Sequence, residues 1–486
     1  MKQILPQPVN GMVREWSVDS LIAPADSLQL AVNVHFDNVG VIRPRMGARY
    51  RVALGSSVHG IGAFYNNAGT TKQVVAASGT SIYSSGGISG SSSLGTCHAT
   101  NKVRFASLVD YIFMVDGSSA MQSWPGTGSL GVVNTASFIA GLSHIAVFRN
   151  RIWAADDETD KLYYSDVVTT SNTITGGDDF IQISPADGDK ITALHATKRM
   201  LLVFKREHLY RVYAINNVDP EPTVAVGTYS QESVIEAYDG IYFHHHSGFY
   251  RFDGENAEDI SEPIRDIIRA IEPTIYTTIA GWCDKTNLYW SIGDVTLEGI
   301  TYSNAVLRRS IKTKAWTMYT YPTKMLGGVL YDNIELFGRV QVFMGGDDGG
   351  LYQYDNGFNE EDNAVSGDVP VYNSFVTHWY YFDTPEDRKV MSQIGAIHEN
   401  AAGLNVSFQI DTDNLTPAND PRYGTTGGAN TWRPAGSLKK FLYDKLSIKT
   451  PPFRRIRFKV SGNSSVTSWS WRAFQVLDLT STGNED

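Results

Sequence analysis

The sequence of 486 residues contains little cysteine and no long apolar run. Its two cysteines, Cys97 and Cys283, are too few and too isolated for a disulfide framework or a zinc knuckle, so we expect buried thiols. No window approaches the roughly 18 apolar residues that a membrane-spanning helix requires. The opening residues, MKQILPQPVNG, lack the apolar core of a signal peptide. These absences predict a protein that is synthesised and folded in a cytoplasm.

Motifs of common catalytic and nucleotide sites are also scarce. The sequence has no GxSxG elbow, no P-loop and no HExxH motif. GTGSLG at residues 126–131 matches GxGxxG, but Pro125 precedes it and no helical pattern follows, so a loop is predicted. Acidic clusters occupy residues 156–158, 347–348 and 360–362, in predicted turns where charge is solvated. We therefore expect no catalytic residues and no cofactor.

Aromatic residues and glycine, in contrast, are plentiful. The chain contains 25 Tyr, 21 Phe, 10 Trp and 44 Gly, with few helix-forming runs. Aromatic and β-branched side chains fit half-buried strands, and glycine marks the turns between short strands. The net charge of -10 argues against a tight DNA binder, although it allows contact with DNA that moves past the protein. This composition favours an all-β fold.

A cassette of strands and tight turns recurs through the middle of the chain. Its openings fall 41 to 47 residues apart and start at Val58, Val103, His144, Ile191, Ser233, Ile279 and Leu326. The third strand of each well-formed cassette pairs an apolar residue with tyrosine, which predicts equivalent positions for Tyr210, Tyr250 and Tyr352. Blades of a β-propeller have this length. We predict a six- or seven-bladed β-propeller over residues 58–357.

The two flanks of the repeats have their own patterns. Residues 1–57 form an extended N-terminal segment that closes the propeller ring or contacts a neighbouring subunit. Residues 358–486 start with an acidic linker and continue with at least six strand-period segments, which predicts a C-terminal β-sandwich. Within it, Arg455 and Arg457 are predicted to share one sheet face, either solvated or used for a subunit or anionic contact.

One helix is predicted, at residues 261–271. Ser261 is a suitable N-cap, and Pro263 suits the first turn. Its apolar face consists of Ile264, Ile267, Ile268 and Ile271.

Three consecutive histidines interrupt DGIYFHHHSGFYRFDG, residues 239–254. This segment is predicted to be the second and third strands of the fifth cassette. Because side chains alternate along a strand, His244 and His246 would share one face while His245 points away. A zinc site needs at least one further ligand, and no spaced cysteine or acidic partner is evident. The sequence therefore favours a structural role for the histidines and no metal.

Four segments together carry a resemblance to a known family. They are NVHFDNVGVIRPRMGARY with Arg43, Arg45 and Gly47; DGIYFHHHSGFYRFDG followed by ISEPIRDII; NAVLRRSIKTKAWTMY; and RRIRFKVSG with WRAFQVLDL. In these segments the chain resembles the tail nozzle, or packaged-DNA stabilisation, proteins of short-tailed bacteriophages (podoviruses). The likeness is one of pattern across most of the chain.

The resemblance implies a structural virion protein and no enzyme. Subunits of that family form a ring, expected to be a hexamer, below the portal and its adaptor, the head-to-tail connector. The ring prolongs the DNA channel, retains packaged DNA and carries tail fibres, spikes or a needle. Double-stranded DNA would pass without sequence-specific contact, and the protein would reside in the virion tail. Six copies at -10 each would carry about -60, which would repel DNA from the channel wall.

Ring assembly needs contacts between different faces of neighbouring subunits. Because the edges of a propeller are short and protected, a segment outside the repeats is expected to supply one of them. We predict that Arg43, Arg45 and Arg49 make this subunit contact, with the C-terminal strands as second choice.

Two other kinds of protein remain as alternatives. One is a carbohydrate-binding or carbohydrate-cleaving propeller, such as a tail-fibre receptor-binding protein. In it, the SWPG loop with Trp124 would provide a sugar platform, and paired acids at the central channel would provide catalysis. The other is a cytoplasmic scaffold propeller for peptide partners, which a C-terminal sandwich disfavours.

Overall fold

The structure is a computed structural model that describes most of the propeller and parts of both flanks. The residues described are 3–5, 9–14, 26–36, 41–87, 89–133, 138–168, 174–185, 187–219, 222–354, 360–363, 367–382, 386–400, 406–412, 430–432, 442–447, 452–464 and 469–483. Among them, no helix combines the length and the apolar character needed to cross a membrane.

The chain folds as an all-β protein around a β-propeller with six separate four-stranded antiparallel blades. Blades 1 to 3 consist of Val58–Tyr65, Lys72–Ser78, Ser81–Ser85 and Ser92–Thr96; Arg104–Leu108, Tyr111–Val115, Gln122–Trp124 and Gly131–Val132; and His144–Phe148, Arg151–Ala155, Lys161–Ser165 and Gly176–Gln182. Blades 4 and 5 consist of Ala193–Ala196, Leu201–Phe204, Leu209–Ala214 and Asn217–Val218; and Ile235–Ala237, Gly240–His245, Gly248–Phe252 and Ala257–Asp259.

The sixth cassette holds a place in the same ring but is not a separate sheet. Its strands, called blade 6 here, form one end of a ten-stranded sheet and are Ala280–Cys283, Asn287–Leu297, Ile300–Ser310 and Trp316–Thr320. Blade 7 is again a separate sheet and consists of Met325–Tyr331, Gln341–Gly346, Gly350–Gln353 and Arg49–Ala53. The first strand of blade 7 packs on those of blades 6 and 1, so the ring is closed. Tyr210, Tyr250 and Tyr352 all lie in third strands, which confirms the repeat alignment.

The fourth strand of blade 7 comes from the N-terminal segment. Arg49–Ala53 pairs antiparallel with Gly350–Gln353, with Val52 opposite Leu351. Val52 and Leu351 are 3% and 1% exposed and share a core with Phe343. The two ends of the propeller sequence are thus joined by hydrogen bonds and apolar packing within one chain.

The remaining N-terminal strands mix with C-terminal ones in two further sheets. Beyond blade 6, the ten-stranded sheet continues with Leu28–Val32, Gly367–Thr377, Ile456–Ser464, Val406–Thr412 and Asn430–Trp432. The tenth strand, Glu360–Asn363, pairs with Gly367–Thr377. The other sheet contains Val34–Phe36, Ile42–Pro44, Trp469–Gly483, Arg388–Asn400 and Leu442–Ser447, with Gln3–Ile4 on Trp469–Gly483. A β-sandwich built from the C-terminal residues alone is therefore not confirmed.

The predicted helix is shorter than the sequence pattern. A 3-10 turn at Glu262–Ile264 leads into the α-helix Arg265–Ala270, and all four isoleucines of the apolar face are at most 4% exposed. Ser261 does not cap it: its hydroxyl donates to Asp259 and accepts the backbone N–H of Phe249 instead. The other helical segments among the described residues are Gln231–Ser233, Pro273–Thr278 and Ile334–Phe337.

The two cysteines are free thiols, as expected, but they are half-buried rather than buried. Cys97 lies between blade 1 and blade 2 and contacts the imidazole of His59. Partial burial raises the pKa of both thiols to about 11, so both remain protonated at neutral pH.

Candidate functional site

The centre of a propeller is the place where its first strands converge. Here a cavity of about 210 Å³ is lined by residues of the first strands of blades 1, 2, 6 and 7 and by the turn Gln231–Ser233. Pockets that hold drug-sized ligands are larger, at roughly 300–1,000 Å³. Glycines keep it narrow by letting strands approach: a Cβ added to Gly60 would lie 2.3 Å from the Val103 carbonyl oxygen.

An ion pair lies across this cavity. Nε of Arg104 on blade 2 donates to Oε1 of Glu232 at 2.7 Å, and Nη2 of Arg104 donates to Oε2 of Glu232 at 3.2 Å. Nη1 of Arg104 donates to the carbonyl oxygen of Ser143, at the start of blade 3, at 2.8 Å. Both charged side chains are less than one fifth exposed. The pair thus connects blades 2 and 3 to the segment between blades 4 and 5.

The pKa of Glu232 reflects these neighbours. Burial acts to raise it, but the positive charges of Arg104 and Lys102 together with the hydrogen bonds from Arg104 lower it to about 2. The carboxylate of Glu232 is therefore ionised at neutral pH. Lys102 faces the same carboxylate, and burial lowers its own pKa while Glu232 opposes that change.

A histidine extends the network to the rim. His144, which is 2% exposed, lies with Nδ1 2.6 Å from Oε1 of Gln231 and Nε2 2.7 Å from Oδ1 of Asp157. Burial opposes ionisation of Asp157, but His144, Ser143 and Arg104 lower its pKa. Both ring nitrogens of His144 therefore face oxygen atoms, one of an amide and one of a carboxylate.

The acidic clusters of the sequence are dispersed in the structure. Asp156 accepts backbone N–H groups of its own turn, Asp157 faces His144 and Glu158 pairs with Lys190. Asp347 accepts from Ser57, while Asp348 accepts from the hydroxyl of Tyr352. The side chains of residues 360–362 lie outside the described part of the chain.

The two loops singled out in the sequence have structural roles. Residues 125–130 connect two antiparallel strands of blade 2, as predicted, and Gly126 and Gly128 have positive φ. Trp124 is only 3% exposed, packs against Phe64 and donates its indole N–H to the Gly128 carbonyl. The expectation of a sugar platform at Trp124 is therefore wrong.

The three histidines differ from the prediction because the strand ends at His245. His244 is fully buried against Phe249 and Tyr276, and neither ring nitrogen has a hydrogen-bond partner among the described residues. His246 lies in the turn and is about half exposed. It approaches His245 rather than His244, with ring centroids 4.0 Å apart. Glu207 of blade 4, which the sequence pattern did not identify, lies beside the rings of His245 and His246.

Replacing His244 by phenylalanine is expected to stabilise the protein by about 1 kcal/mol at pH 8, because a buried ring with unsatisfied nitrogens is removed. Burial and the two neighbouring histidines lower the pKa of His244 to about 3. Since the folded pKa is below the unfolded value of 6.5, the wild type loses stability as pH falls from 6.5 towards 3. The advantage of His244→Phe should therefore grow as pH falls. Urea unfolding at pH 8, 6 and 5 measures it.

The matched control for this prediction is His246→Gln in metal-free buffer. His246 is exposed, so the change should alter the free energy of unfolding by no more than about 0.5 kcal/mol. A loss of stability in His244→Phe at pH 8 would show that the imidazole makes a hydrogen bond that is important for folding.

The three arginines of the expected subunit contact have different environments. Arg45 is 1% exposed, and its guanidinium donates to Oδ1 of Asn33 and to the carbonyls of Met46 and Thr320. It also lies over the ring of Tyr321. Arg45 is thus part of the interior of the subunit, which contradicts a surface role. Arg43 is exposed, and Arg49 is half-buried on the strand that completes blade 7.

The basic C-terminal residues follow the strand pattern. Ile456 and Phe458 are buried, whereas Arg455 and Arg457 both lie over the ring of Trp379, at 4.7 and 4.9 Å from its centroid. Arg457 also donates to the Gln29 side chain. The shared face is confirmed, and part of it holds the N-terminal strand in place.

Comparison with known proteins assigns the chain to no family. No protein-family model matches it, and no curated protein matches it. Solved structures with a similar fold include YCF48 from Cyanidioschyzon merolae, at 9% identity and a TM-score of 0.41 over 62% of this chain and 96% of that one. BamB from Moraxella catarrhalis is 9% identical, with a TM-score of 0.39 over 73% and 96%. The Pan2 WD40 domain of Neurospora crassa is 9% identical, with a TM-score of 0.42 over 66% and 97%.

At these identities and TM-scores the likeness gives no information about function. The chain is an all-β propeller protein whose central cavity is narrow and crossed by an ion pair.

Proposed function

We propose that this protein is a structural component of a bacteriophage tail, a nozzle subunit that forms a ring below the portal and its adaptor. It does no chemistry; it retains packaged DNA, extends the DNA channel and anchors distal tail parts. The proposal rests on the resemblance of the four sequence segments to podovirus nozzle proteins. It includes location in the virion tail and a hexameric ring.

The structural observation that supports it best is the continuity of the ten-stranded sheet. Strand Leu28–Val32 pairs in parallel with the outer strand of blade 6, through Val32 and Met318, and antiparallel with Gly367–Thr377. Hydrogen bonds therefore run from blade 6 through the N-terminal strand Leu28–Val32 into the C-terminal strand Gly367–Thr377. A subunit that holds DNA under pressure and carries other proteins needs such rigid coupling.

In the proposed ring, DNA passes between the subunits and not through the centre of any one propeller. The cavity inside each propeller is narrow, and Arg104 with Glu232 crosses it. A duplex therefore requires a bore enclosed by several copies. Because Arg45 is interior, we assign the ring contact to the exposed Arg43 and the strand Ile42–Pro44 around it, which lies beside Trp469–Gly483.

The test is to inactivate the gene in its own genome and to image the particles produced. We expect filled heads with portal and adaptor that leak DNA or fail to eject it and that lack everything distal to the nozzle. Particles with a complete, infectious tail would contradict the proposal. Complementation with Arg43→Glu tests the assigned contact separately: folded protein absent from particles is the expected result.

The second candidate is a carbohydrate-binding propeller, and a glycan array with purified protein separates the two functions. A nozzle should bind no glycan above background. Saturable binding to one glycan class by a protein that is dispensable for particle assembly would favour the alternative.

A further inference from the structure

Two turns from neighbouring blades bring three metal-ligating side chains together. Glu207 lies in the turn between the second and third strands of blade 4. His245 and His246 lie at the corresponding turn of blade 5. One ligand atom from each residue lies within 4.8 Å of the others.

The distances between these atoms are close to those of a bound metal. Nε2 of His245 lies 3.1 Å from Oε2 of Glu207, and Nδ1 of His246 lies 3.7 Å from Oε1. Tetrahedral ligands at the usual zinc distances of about 2.0–2.2 Å are separated by roughly 3.4 Å. Side-chain rotations that bring the three ligand atoms from within 4.8 Å of one another to about 3.4 Å would place them around one ion.

A second set of side chains orients these ligands. Oγ of Ser247 lies 2.7 Å from Nδ1 of His245 and also contacts the hydroxyl of Tyr250, so that Nε2 is directed towards Glu207. The Tyr229 hydroxyl donates to Oε1 of Glu207 at 2.9 Å. Burial acts to raise the pKa of Glu207, but the hydrogen bonds from Tyr229 and His245 lower it, so the carboxylate is ionised. Such outer contacts accompany protein metal sites.

We propose that Glu207, His245 and His246 bind one divalent transition-metal ion of the Zn²⁺ class, which links blade 4 to blade 5. Two imidazoles and one carboxylate suit Zn²⁺, Co²⁺ and Ni²⁺ rather than Mg²⁺ or Ca²⁺. His245 is 6% exposed, whereas Glu207 and His246 are about half exposed, so water can fill the fourth position. The site is independent of the nozzle function.

The proposal is tested on the untagged full chain after removal of metals with EDTA. Titration with ZnCl₂ by calorimetry should give one ion per chain, and CoCl₂ should give the visible absorption of a tetrahedral or five-coordinate site. Glu207→Gln and His246→Ala should each raise the Kd for Zn²⁺ about tenfold or more. Both residues are half exposed, so both variants should fold, which circular dichroism checks.

The matched control is His195→Ala. His195 of blade 4 lies 3.3 Å from Glu236 of blade 5, a histidine–carboxylate pair between the same two blades that lacks a second histidine. Its removal should leave the Kd unchanged. Absence of binding at millimolar Zn²⁺, or equal affinity in wild type and both ligand variants, would overturn the proposal.

Discussion

Replacing Glu232 by glutamine is expected to lower the free energy of unfolding at pH 7 by about 3–5 kcal/mol, because the Arg104 guanidinium then remains in the central cavity without its carboxylate. Arg104 is 13% exposed, so water compensates poorly. The side chain of glutamine has nearly the same shape, so the loss reports on charge rather than on packing. Urea unfolding followed by tryptophan fluorescence measures it.

The effect of Glu232→Gln should also depend on pH with a defined sign. The folded pKa of Glu232, about 2, is below its ordinary value of 4.5. The stability it contributes is therefore complete above pH 4.5 and is lost as pH falls through 2. The difference between wild type and variant should shrink over this window. A constant difference from pH 7 to pH 2.5 would contradict the assignment.

An exposed ion pair between blades serves as the control for this experiment. Glu335 is 83% exposed and accepts from Lys72 at 3.3 Å. Because solvent screens such pairs, Glu335→Gln should change stability by less than about 1 kcal/mol. Equal losses of unfolding free energy in the two variants would show that the central ion pair contributes no more stability than the exposed one.

Replacing Val52 by aspartate is expected to open the propeller ring, at a cost of at least about 4 kcal/mol or complete loss of folding. Val52 is 3% exposed and packs on Leu351 and Phe343 within blade 7. An ionised carboxylate there has no partner among these apolar side chains. Thermal unfolding measures the loss, and limited proteolysis should show faster cleavage near the N-terminus.

The neighbouring residue provides the matched control. Ala53 follows Val52 on the same strand, faces the opposite side and is exposed. Ala53→Asp adds the same charge and should change stability by no more than about 0.5 kcal/mol. If both variants had similar stabilities, the strand Arg49–Ala53 would not be what closes blade 7.

Features that depend on local pattern could be predicted from the sequence. Strand period and turn residues repeat in each cassette, so the repeat predicted both the blades and the equivalent positions of the tyrosines in their third strands. The isoleucine spacing likewise identified the buried face around Ile267 because helix geometry alone fixes which residues align. The alternation of Arg455 and Arg457 with Ile456 and Phe458 has the same origin.

The pairing of distant segments, in contrast, depends on the tertiary structure. An outer strand can pair with any free edge, so nothing local shows that Val52 lies opposite Leu351 rather than in a neighbouring subunit. The same holds for Arg45, whose partner Thr320 is distant in sequence, and for Glu207 beside His245 on the next blade. The alternation rule failed at His246 because it applies only while the strand continues, and the chain turns after His245. The buried Arg104–Glu232 ion pair and the group of Glu207, His245 and His246 both join residues from different parts of the ring. The pattern of a single segment cannot predict such contacts.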